Sequence, residues 1–358
     1  MSEQMTGAAR RPAGHDGALE GGGPGLAAIA LASAAVLGAA ALQTYADARR
    51  AERENPPRGR FLRAGGIRLH YLEAGDGEAP AVVLLHGNAV TAEDWVASGV
   101  FNRIADRRRV VAFDRPGYGY SERPRDRAWT AEEQAEVLAE AIGRLDLGRP
   151  IVVGHSWGTL VAMALALNRP DAVSGLVLCA GYHYPTVRAD VVVFSPPAVP
   201  VLGDVLRYTV GPLAGRAIAP VMIRSMFAPR PVSPVFTEAT PVPIMLRPWQ
   251  IKASAEDAAS MTPRVAEAAP RYPELRGLPV HIVAGAEDQI VDVARHSARL
   301  HHDLPGSRLH VLPGLGHAVH YGAPNLVAEA VESVAQASRG AAMATPTETP
   351  AAATGAPV

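Results

Sequence analysis

The most constraining stretch of the sequence is residues 151–158, which read IVVGHSWG and lead directly into an apolar, helix-permissive segment. Three β-formers, then G-x-S-x-G, then helix formers predict a strand, a sharp turn and a helix. A turn this tight holds Ser156 in strained backbone geometry, and side chains at Gly154 and Gly158 would collide with neighbouring backbone. The pattern therefore places a serine hydroxyl beyond the end of a strand, beside the backbone N–H of Trp157.

Continuous apolar runs, of the kind found in strands covered on both faces, recur along the chain. They lie at residues 81–85, 110–113, 176–178, 280–283 and 309–312, with helical patterns at 131–143, 157–167 and 324–337. Residues 61–64 and 67–72 flank Gly65-Gly66 with the alternation of an antiparallel hairpin. Alternating strands and helices predict a mostly parallel sheet covered on both sides.

The N-terminal region differs in composition from the rest of the chain. Residues 1–23 are rich in Gly, Ala and charged residues and are predicted to be disordered. Residues 24–43 carry no charge and are long enough to span a bilayer core as a helix, so we expect a single-pass membrane anchor there. A cleaved signal peptide and a surface helix are the alternatives. Residues 44–59, with two prolines near the end, are expected to be a linker.

Basic residues flank residues 24–43 unequally. Five arginines follow within residues 49–60, whereas Arg10 and Arg11 precede the segment. The excess of basic residues favours a cytoplasmic location for the folded domain, and a secreted or periplasmic location is the alternative.

Overall charge and cysteine content exclude several classes. The formal net charge is −1 and the basic residues form no sustained run, so a nucleic-acid partner is not expected. Cys179 is the only cysteine, which rules out an intramolecular disulfide. It lies in an apolar run, where a buried, inert thiol is expected.

Four motifs occur in the order used by the α/β-hydrolase family, which the chain resembles from about residue 60 to residue 338. They are His86-Gly87-Asn88, residues 114–121 (DRPGYGYS), the Ser156 turn, and an acid followed by a histidine near the C-terminus. The resemblance implies an α/β-hydrolase fold, with a mostly parallel eight-stranded sheet flanked by helices and a helical cap inserted after strand 6. The core would comprise residues 60–181 and 279–338, the cap residues 182–278, and residues 339–358 a disordered tail.

The predicted cap is dense in proline and rich in apolar residues. In the resembled family this insertion covers the active site, and its apolar bias suggests a hydrophobic pocket. The candidate lining residues are Phe194, Val205, Leu206, Tyr208, Met222, Met226, Phe227, Met245 and Trp249. The alternative is that most of these side chains only pack the cap onto the core.

A serine alkoxide is too basic to exist free at neutral pH, so Ser156 needs a base and a carboxylate that orients the base. The resemblance implies His317 as the base, because it follows the last core strand on a Gly-rich loop. His320 is the alternative, three residues further on. His155 is expected to point into the scaffold, and no metal-binding spacing such as H-E-x-x-H occurs.

The resemblance likewise implies Asp288 as the acid, at the end of a G-x-x-D pattern after the strand at 280–283. Glu287 and Asp292 are the alternatives. The order Ser156, Asp288, His317 is the one expected of this fold.

Charge that develops on a substrate carbonyl oxygen needs hydrogen-bond donors. The backbone N–H of Trp157 is one candidate, and the resemblance implies Asn88 as the other. The side chain of Asn88 could add its amide or could simply form the turn. Asp114 and residues 117–119 match a structural motif of the family and are expected to hold their loop rather than to take part in chemistry.

Together these residues predict a serine hydrolase that cleaves a small, hydrophobic carboxylic ester or related acyl bond through an acyl-enzyme, with no metal or cofactor. A cofactor-free perhydrolase or acyltransferase would use the same residues, and a non-catalytic ligand-binding homologue is the alternative from another class. Epoxide hydrolases and haloalkane dehalogenases carry Asp at the nucleophile position, so Ser156 argues against both, although His86-Gly87-Asn88 resembles the dehalogenase motif. Prolyl iminopeptidases carry Gly-Gly-Pro-Gly after the first histidine, where residues 87–90 here read GNAV.

Overall fold

The computed structural model describes residues 23–186, 191 and 195–344. Within them the chain forms an eight-stranded sheet in the order β1-β2-β4-β3-β5-β6-β7-β8. The strands are β1 (Arg60–Ala64), β2 (Ile67–Ala74), β3 (Val82–Leu85), β4 (Val110–Phe113), β5 (Ile151–His155), β6 (Gly175–Cys179), β7 (Val280–Gly285) and β8 (Arg308–Leu312). The first two form an antiparallel hairpin, β2 pairs antiparallel with β4, and β3 to β8 are parallel. The predicted fold class is confirmed.

Helices cover both faces of this sheet. The first half of the chain contains α1 (Gly23–Glu54), α2 (Glu93–Ala97), α3 (Val100–Ala105), α4 (Ala131–Arg144) and α5 (Gly158–Asn168). The cap contains α6 (Leu202–Tyr208), α7 (Val210–Phe227), α8 (Pro234–Ala239), α9 (Val242–Met245) and α10 (Pro248–Ala268). The C-terminal part contains α11 (Arg299–Asp303), α12 (Val319–Gly322) and α13 (Pro324–Ala344).

The central strands are buried because helices pack on both of their faces, as their unbroken apolar sequences predict. Every residue of β5 and β6 is buried, whereas the edge strand β8 is partly exposed. Ten of the eleven residues of α5 are buried as well, so this short helix lies inside the core. The thiol of Cys179 is fully buried, and burial raises its pKa to about 12, as expected of an inert cysteine.

Parallel strands end at the same edge of a sheet, so the loops after β3, β5, β7 and β8 meet there. These loops begin with His86, Ser156, Ala286 and Pro313. The cap enters the chain between β6 and β7. This arrangement places residues from four distant parts of the sequence beneath one insertion.

Two predicted boundaries differ from the structure. The predicted linker 44–59 is helical as far as Glu54, since α1 continues without a break through residues rich in Ala, Arg and Glu that favour helix, and Pro56 follows its end. The predicted tail 339–358 begins inside α13, which the Ala-rich residues 340–344 extend to Ala344. Residues 1–22 and 345–358 lie outside the described part of the chain.

Candidate active site

Ser156 lies in a strained turn between β5 and α5. Its φ is 51°, in the left-handed region that costs a non-glycine residue free energy. A Cβ at Gly154 would lie 2.7 Å from the backbone of Thr159, and one at Gly158 would lie 2.2 Å from the carbonyl oxygen of Leu85. The two glycines are therefore required by backbone contacts, as the sequence predicted.

The structure brings Ser156, His317 and Asp288 into one hydrogen-bonded chain. The hydroxyl of Ser156 is 2.8 Å from Nε2 of His317, and Nδ1 of His317 is 2.8 Å from Oδ2 of Asp288. The His317 and Asp288 side chains are 5% and 1% exposed, so water competes little for these bonds. Because the carboxylate can only accept, Nδ1 carries the proton and Nε2 is left to accept from the serine.

Local backbone holds the carboxylate of Asp288. Its Oδ1 accepts hydrogen bonds from the N–H groups of Ile290 and Val291 at 2.8 and 2.9 Å, which leaves Oδ2 directed at His317. The neighbouring Glu287 is exposed. The other alternative, Asp292, accepts from the N–H of Arg295 at 2.8 Å and takes no part in the chain to Ser156.

His155 and His320 lie behind His317 in a buried cluster. Nε2 of His155 donates to the carbonyl oxygen of His317 at 3.1 Å, and Nε2 of His320 donates to Oδ2 of Asp94 at 2.9 Å. Burial, together with the neighbouring imidazoles of His320 and His317, holds the pKa of His155 well below its usual value. The alternative base His320 is therefore paired with Asp94, and the hydroxyl of Ser156 is hydrogen-bonded to His317 rather than to the ring of His155 or His320.

Among the described residues, this cluster is the one place where three side chains of types that bind metals lie close together. The ligand atoms of Asp94, His155 and His320 lie within 4.8 Å of one another and all three residues are buried. Asp94 already accepts from His320 and from the hydroxyl of Tyr321. We interpret the cluster as a hydrogen-bonded support for the loop that carries His317.

The loop after β3 lies against Ser156. A Cβ at Gly87 would be 3.2 Å from Cβ of Ser156, so only glycine lets this loop approach without displacement. The next residue, Asn88, uses its side chain elsewhere, because Nδ2 donates to the carbonyl oxygen of Ser254 at 3.1 Å and Oδ1 accepts from the hydroxyl of Tyr118 at 2.8 Å. Among the described residues, the backbone N–H groups of Asn88 and Trp157 have no hydrogen-bond acceptor.

A comparison with known families identifies the fold. The family model described as the alpha/beta hydrolase fold matches residues 80–324, which include all of the residues above. The chain belongs to the α/β-hydrolase fold family.

Two curated relatives and one solved structure illustrate the range of this family. Haloalkane dehalogenase 2 of Mycobacterium tuberculosis (strain ATCC 25618 / H37Rv) is 33% identical over 140 residues, covering 39% of this chain and 48% of that protein. The 2-hydroxymuconate semialdehyde hydrolase of Pseudomonas sp. (strain CF600) is 33% identical over 138 residues, covering 38% of this chain and 48% of that protein. The chain thus matches about half the length of these relatives.

The haloalkane dehalogenase DbeA from Bradyrhizobium elkani superposes with a TM-score of 0.62 at 22% identity, covering 80% of this chain and 99% of that one. At this identity the likeness establishes the shared fold.

In this α/β-hydrolase-fold chain, the motif at residues 114–121 holds its own loop. Asp114 accepts from the N–H of Ala92 at 2.8 Å and of Tyr120 at 2.9 Å, and pairs with His70 at 2.7 Å. Burial opposes ionisation of Asp114, but its hydrogen bond and charge interaction with His70 outweigh this effect and lower its pKa. The structural role predicted for Asp114 is confirmed by these contacts.

A buried ionic network joins the cap to the loop beside Ser156, and sequence reasoning missed it. Arg115 donates to the carbonyl oxygens of His86 and Gly87 at 2.9 and 3.0 Å and to Oδ2 of Asp257 in α10 at 2.7 Å. The side chains of Arg115 and Asp257 are both 0% exposed. Arg115 lies within a recognised motif, whereas nothing in the local sequence around Asp257 signals its partner.

Asp257 makes further contacts across the same boundary. Its Oδ1 accepts from Arg123 at 3.0 Å, and its carbonyl oxygen accepts from the indole N–H of Trp157 at 3.0 Å. The guanidinium of Arg115 lies 4.5 Å from the ring centre of Trp157. The side chains beside the turn at Ser156 are therefore held by contacts with the cap.

The candidate cap residues fall into different environments. Met226, Phe227 and Met245 pack with Val90 and Ala318, which flank the loops of Asn88 and His317. Val205 is 46% exposed, and Trp249 lies beside Arg49 of α1, so these two do not line the site. Phe194 lies outside the described residues.

Proposed function

We propose that this protein is a serine hydrolase that cleaves a carboxylic ester or a related acyl bond through an acyl-enzyme on Ser156. The observation that carries the proposal is the hydrogen-bonded chain from Ser156 through His317 to Asp288, with 2.8 Å at each step. A hydroxyl with a base at this distance, and a base oriented by a carboxylate, is the arrangement that activates serine for nucleophilic attack.

In the first half of the reaction, Oγ of Ser156 attacks the carbonyl carbon of the substrate as Nε2 of His317 takes the hydroxyl proton. The carbonyl oxygen becomes an oxyanion, and the backbone N–H groups of Trp157 and Asn88 are the proposed donors to it. Asp288 stabilises the imidazolium through Nδ1. His317 then gives its proton to the leaving alkoxide, which departs as an alcohol and leaves an ester on Ser156.

In the second half, water takes the place of the alcohol. His317 removes a proton from the water as the water oxygen attacks the acyl carbon, and the same donors stabilise the second oxyanion. His317 then returns the proton to Oγ of Ser156 as the bond between Oγ and the acyl carbon breaks. The products are a carboxylic acid and the free enzyme.

The proposed substrate is small and hydrophobic. Part of the boundary between the cap and the loops that flank Ser156 is apolar, where Phe227, Met226 and Val90 pack together. Similarity to the 2-hydroxymuconate semialdehyde hydrolase of Pseudomonas sp. (strain CF600) supports hydrolysis as the general reaction. A nucleophilic serine, rather than the aspartate that the dehalogenase resemblance implies, favours acyl transfer to water over attack on a halide-bearing carbon.

We further propose that α1 anchors the protein in a membrane. Among the described residues, α1 is the helix that is long and apolar enough to span a bilayer. Its most apolar segment is not buried within the protein. Its C-terminal half packs on the cap, where Glu52 forms an ion pair at 2.9 Å with the fully buried Arg247. Asp47 of α1 also pairs with Arg216 of the cap at 3.3 Å. These contacts with the folded domain favour a retained anchor over a cleaved signal peptide.

A fluorophosphonate probe tests the proposed nucleophile. Oγ of an activated serine attacks the phosphorus and expels fluoride, so intact-mass analysis of the full chain should show one adduct. Ser156→Ala should show none, and its circular dichroism and thermal unfolding should match the wild type. No adduct on the folded wild-type chain, or an adduct that persists in Ser156→Ala, would contradict the proposal.

A further inference from the structure

The outward face of α7 is largely apolar, which is unusual for a helix on a protein surface. Its exposed apolar positions recur at the i, i+3, i+4, i+7 spacing of a single helical face. They are Val210, Leu213, Ala214, Ala217, Pro220 and Val221. Leu213 is 65% exposed and Val210 is 54% exposed. A surface helix in water normally directs its polar side chains outward, so this face is suited to an apolar partner.

The segment before α7 extends this surface. Val201, Leu202 and Val205 are exposed by 76%, 52% and 46%, respectively, and they lie in or beside α6, which packs on α7. We refer to the exposed apolar side chains from Val201 to Val221 as the cap ridge. Acidic residues are absent from α7, and its basic residues Arg216 and Arg224 are exposed.

The cap ridge lies close to the point where the apolar half of α1 ends. Arg216 of α7 pairs with Asp47 of α1 at 3.3 Å, and the buried Ala48 and Ala51 form the docked face of α1. Leu42, the last apolar residue of the uncharged stretch, is 73% exposed. It precedes Asp47 by five residues, or about 7.5 Å along a helix axis.

This spacing matches the dimensions of a membrane surface. If α1 spans the hydrocarbon core and leaves it near Leu42, the contact between Asp47 and Arg216 lies at the depth of the headgroups, a layer on the order of 5–8 Å thick. Apolar faces of interfacial helices insert about 5–10 Å into the same boundary. Exposed arginines near this level, including Arg50 and Arg216, suit anionic headgroups.

We propose that the cap ridge lies in the interface of the bilayer that α1 spans, so that the cap itself contacts lipid. The continuity of two exposed apolar surfaces, joined by the contact between α1 and α7, selects lipid as the occupant. A second copy of the chain is the competing occupant and is distinguished by experiment. The inference rests on the proposed anchoring by α1 but not on the proposed ester chemistry.

Site-directed labelling of the full chain tests the inference. Ala217→Cys, on the exposed face of α7, would be labelled with the environment-sensitive fluorophore NBD after reconstitution into vesicles of phosphatidylcholine and phosphatidylglycerol. Cys179 is fully buried, with its pKa raised to about 12, and should not react. We expect a blue-shifted emission that lipids carrying a doxyl group near the headgroup quench severalfold.

Val311→Cys is the matched control, because Val311 is 41% exposed on the edge strand β8. Its label should show the emission seen in water and little quenching. The double variant Leu213→Glu with Val221→Glu should still float with vesicles through α1, yet lose most of the quenching at position 217.

Three results would overturn the inference. The first is a protein that floats with vesicles but shows equal, weak quenching at positions 217 and 311. This result would refute contact of the cap ridge with lipid but would leave the proposed anchor intact. Chain that does not float would refute the anchor and the inference together. Dipolar broadening between spin labels on Ala217→Cys, without quenching by lipid, would show that a second copy covers this face. The fluorophosphonate reaction reports separately on the hydrolase proposal.

Discussion

Two adjacent carboxylates, Asp288 and Glu287, have different environments although they are neighbours in the sequence. Asp288 is 2.8 Å from Nδ1 of His317 and is held by two backbone N–H groups, whereas Glu287 is exposed on the same loop. The difference arises because the loop turns sharply after β7, and only one of the two side chains faces inward.

Asp288→Asn is therefore expected to lower kcat by about 10⁴-fold, as loss of the orienting carboxylate does in serine proteases, because the amide can favour the wrong tautomer of His317. KM for a water-soluble ester should change little, since the substrate site is untouched. Steady-state kinetics on this variant and on Glu287→Gln provide the comparison. A large loss in Glu287→Gln with little loss in Asp288→Asn would show that the acid is misassigned.

His183 is a second residue whose environment, rather than its type, sets its behaviour. Its side chain is fully buried, and neither ring nitrogen has a hydrogen-bond partner in the described part of the chain. Burial, aided by the charge of His296, lowers the pKa of His183 to about 3. The unfolded chain, with a pKa near 6.5, then binds more protons than the folded chain between about pH 3 and pH 6.5.

This difference predicts that His183 costs stability as the pH falls below about 6.5, by up to about 1.4 kcal/mol per pH unit. His183→Leu removes the titrating group and keeps an apolar side chain in the space. Urea unfolding between pH 7 and pH 4.5 should show the variant gaining stability over the wild type as the pH decreases. The exposed His302 serves as the control through His302→Gln. Parallel curves for His183→Leu and the wild type would contradict the assignment.

At the scale of elements, buried ion pairs tie α10 of the cap to the core. Asp257 is the only carboxylate within 4.0 Å of Arg115 in the described chain, and it also pairs with Arg123 at 3.0 Å. Side chains of both arginines are nearly or fully buried, and Arg123 also pairs with Glu256, so removal of the carboxylate leaves Arg115 as a buried cation without compensation. The position of α10 thus depends on charge as well as on apolar packing.

We expect Asp257→Asn to lower the free energy of unfolding by about 3–5 kcal/mol, the range seen when one partner of a buried ion pair is removed. Glu256→Gln is the neighbouring control: Glu256 also pairs with Arg123 but is 25% exposed, so its loss should cost about 1 kcal/mol or less. Urea titrations of both variants measure the two values. Similar losses of unfolding free energy in the two variants would show that burial does not increase the contribution of Asp257 to stability.

At the scale of the whole molecule, the two halves of α1 differ in composition and in contacts. Residues 25–39 of this helix are exposed and mostly apolar, and the turns after Leu42 dock on the cap through Asp47, Ala48, Ala51 and Glu52. A membrane anchor attached in this way would hold the cap in one orientation to the bilayer. Rigid attachment follows because the helix is continuous from Gly23 to Glu54.

Deletion of residues 1–42 should move the protein from the membrane to the soluble fraction and leave turnover of a short, water-soluble ester within about twofold. Deletion of residues 1–54 should also destabilise the fold by about 3 kcal/mol, because the buried Arg247 loses Glu52. Deletion of residues 345–358 is the control and should leave membrane partitioning unchanged. Membrane partitioning that persists after the first deletion would dispose of the anchor.

Much of the fold could be predicted because the signals are local. Apolar runs such as residues 110–113 and 151–153 mark strands in any context where both faces are covered, and the glycines around Ser156 respond to contacts within one turn. Helix ends were predicted less well, since Ala-rich and charged segments after residue 43 and after Ser338 continue a helix as readily as they end one.

By itself, the sequence determined the class of fold, the strand-turn-helix around Ser156 and the order of the motif residues, because periodicity and turn chemistry depend on near neighbours. The tertiary structure decided which carboxylate is hydrogen-bonded to His317. It also decided that Asp257 pairs with Arg115, 142 positions away in the sequence, and that the side-chain amide of Asn88 donates to the cap. It also decided which face of α7 remains exposed. These outcomes depend on how distant segments pack, and the burial and charge of a side chain are set only when that packing is complete.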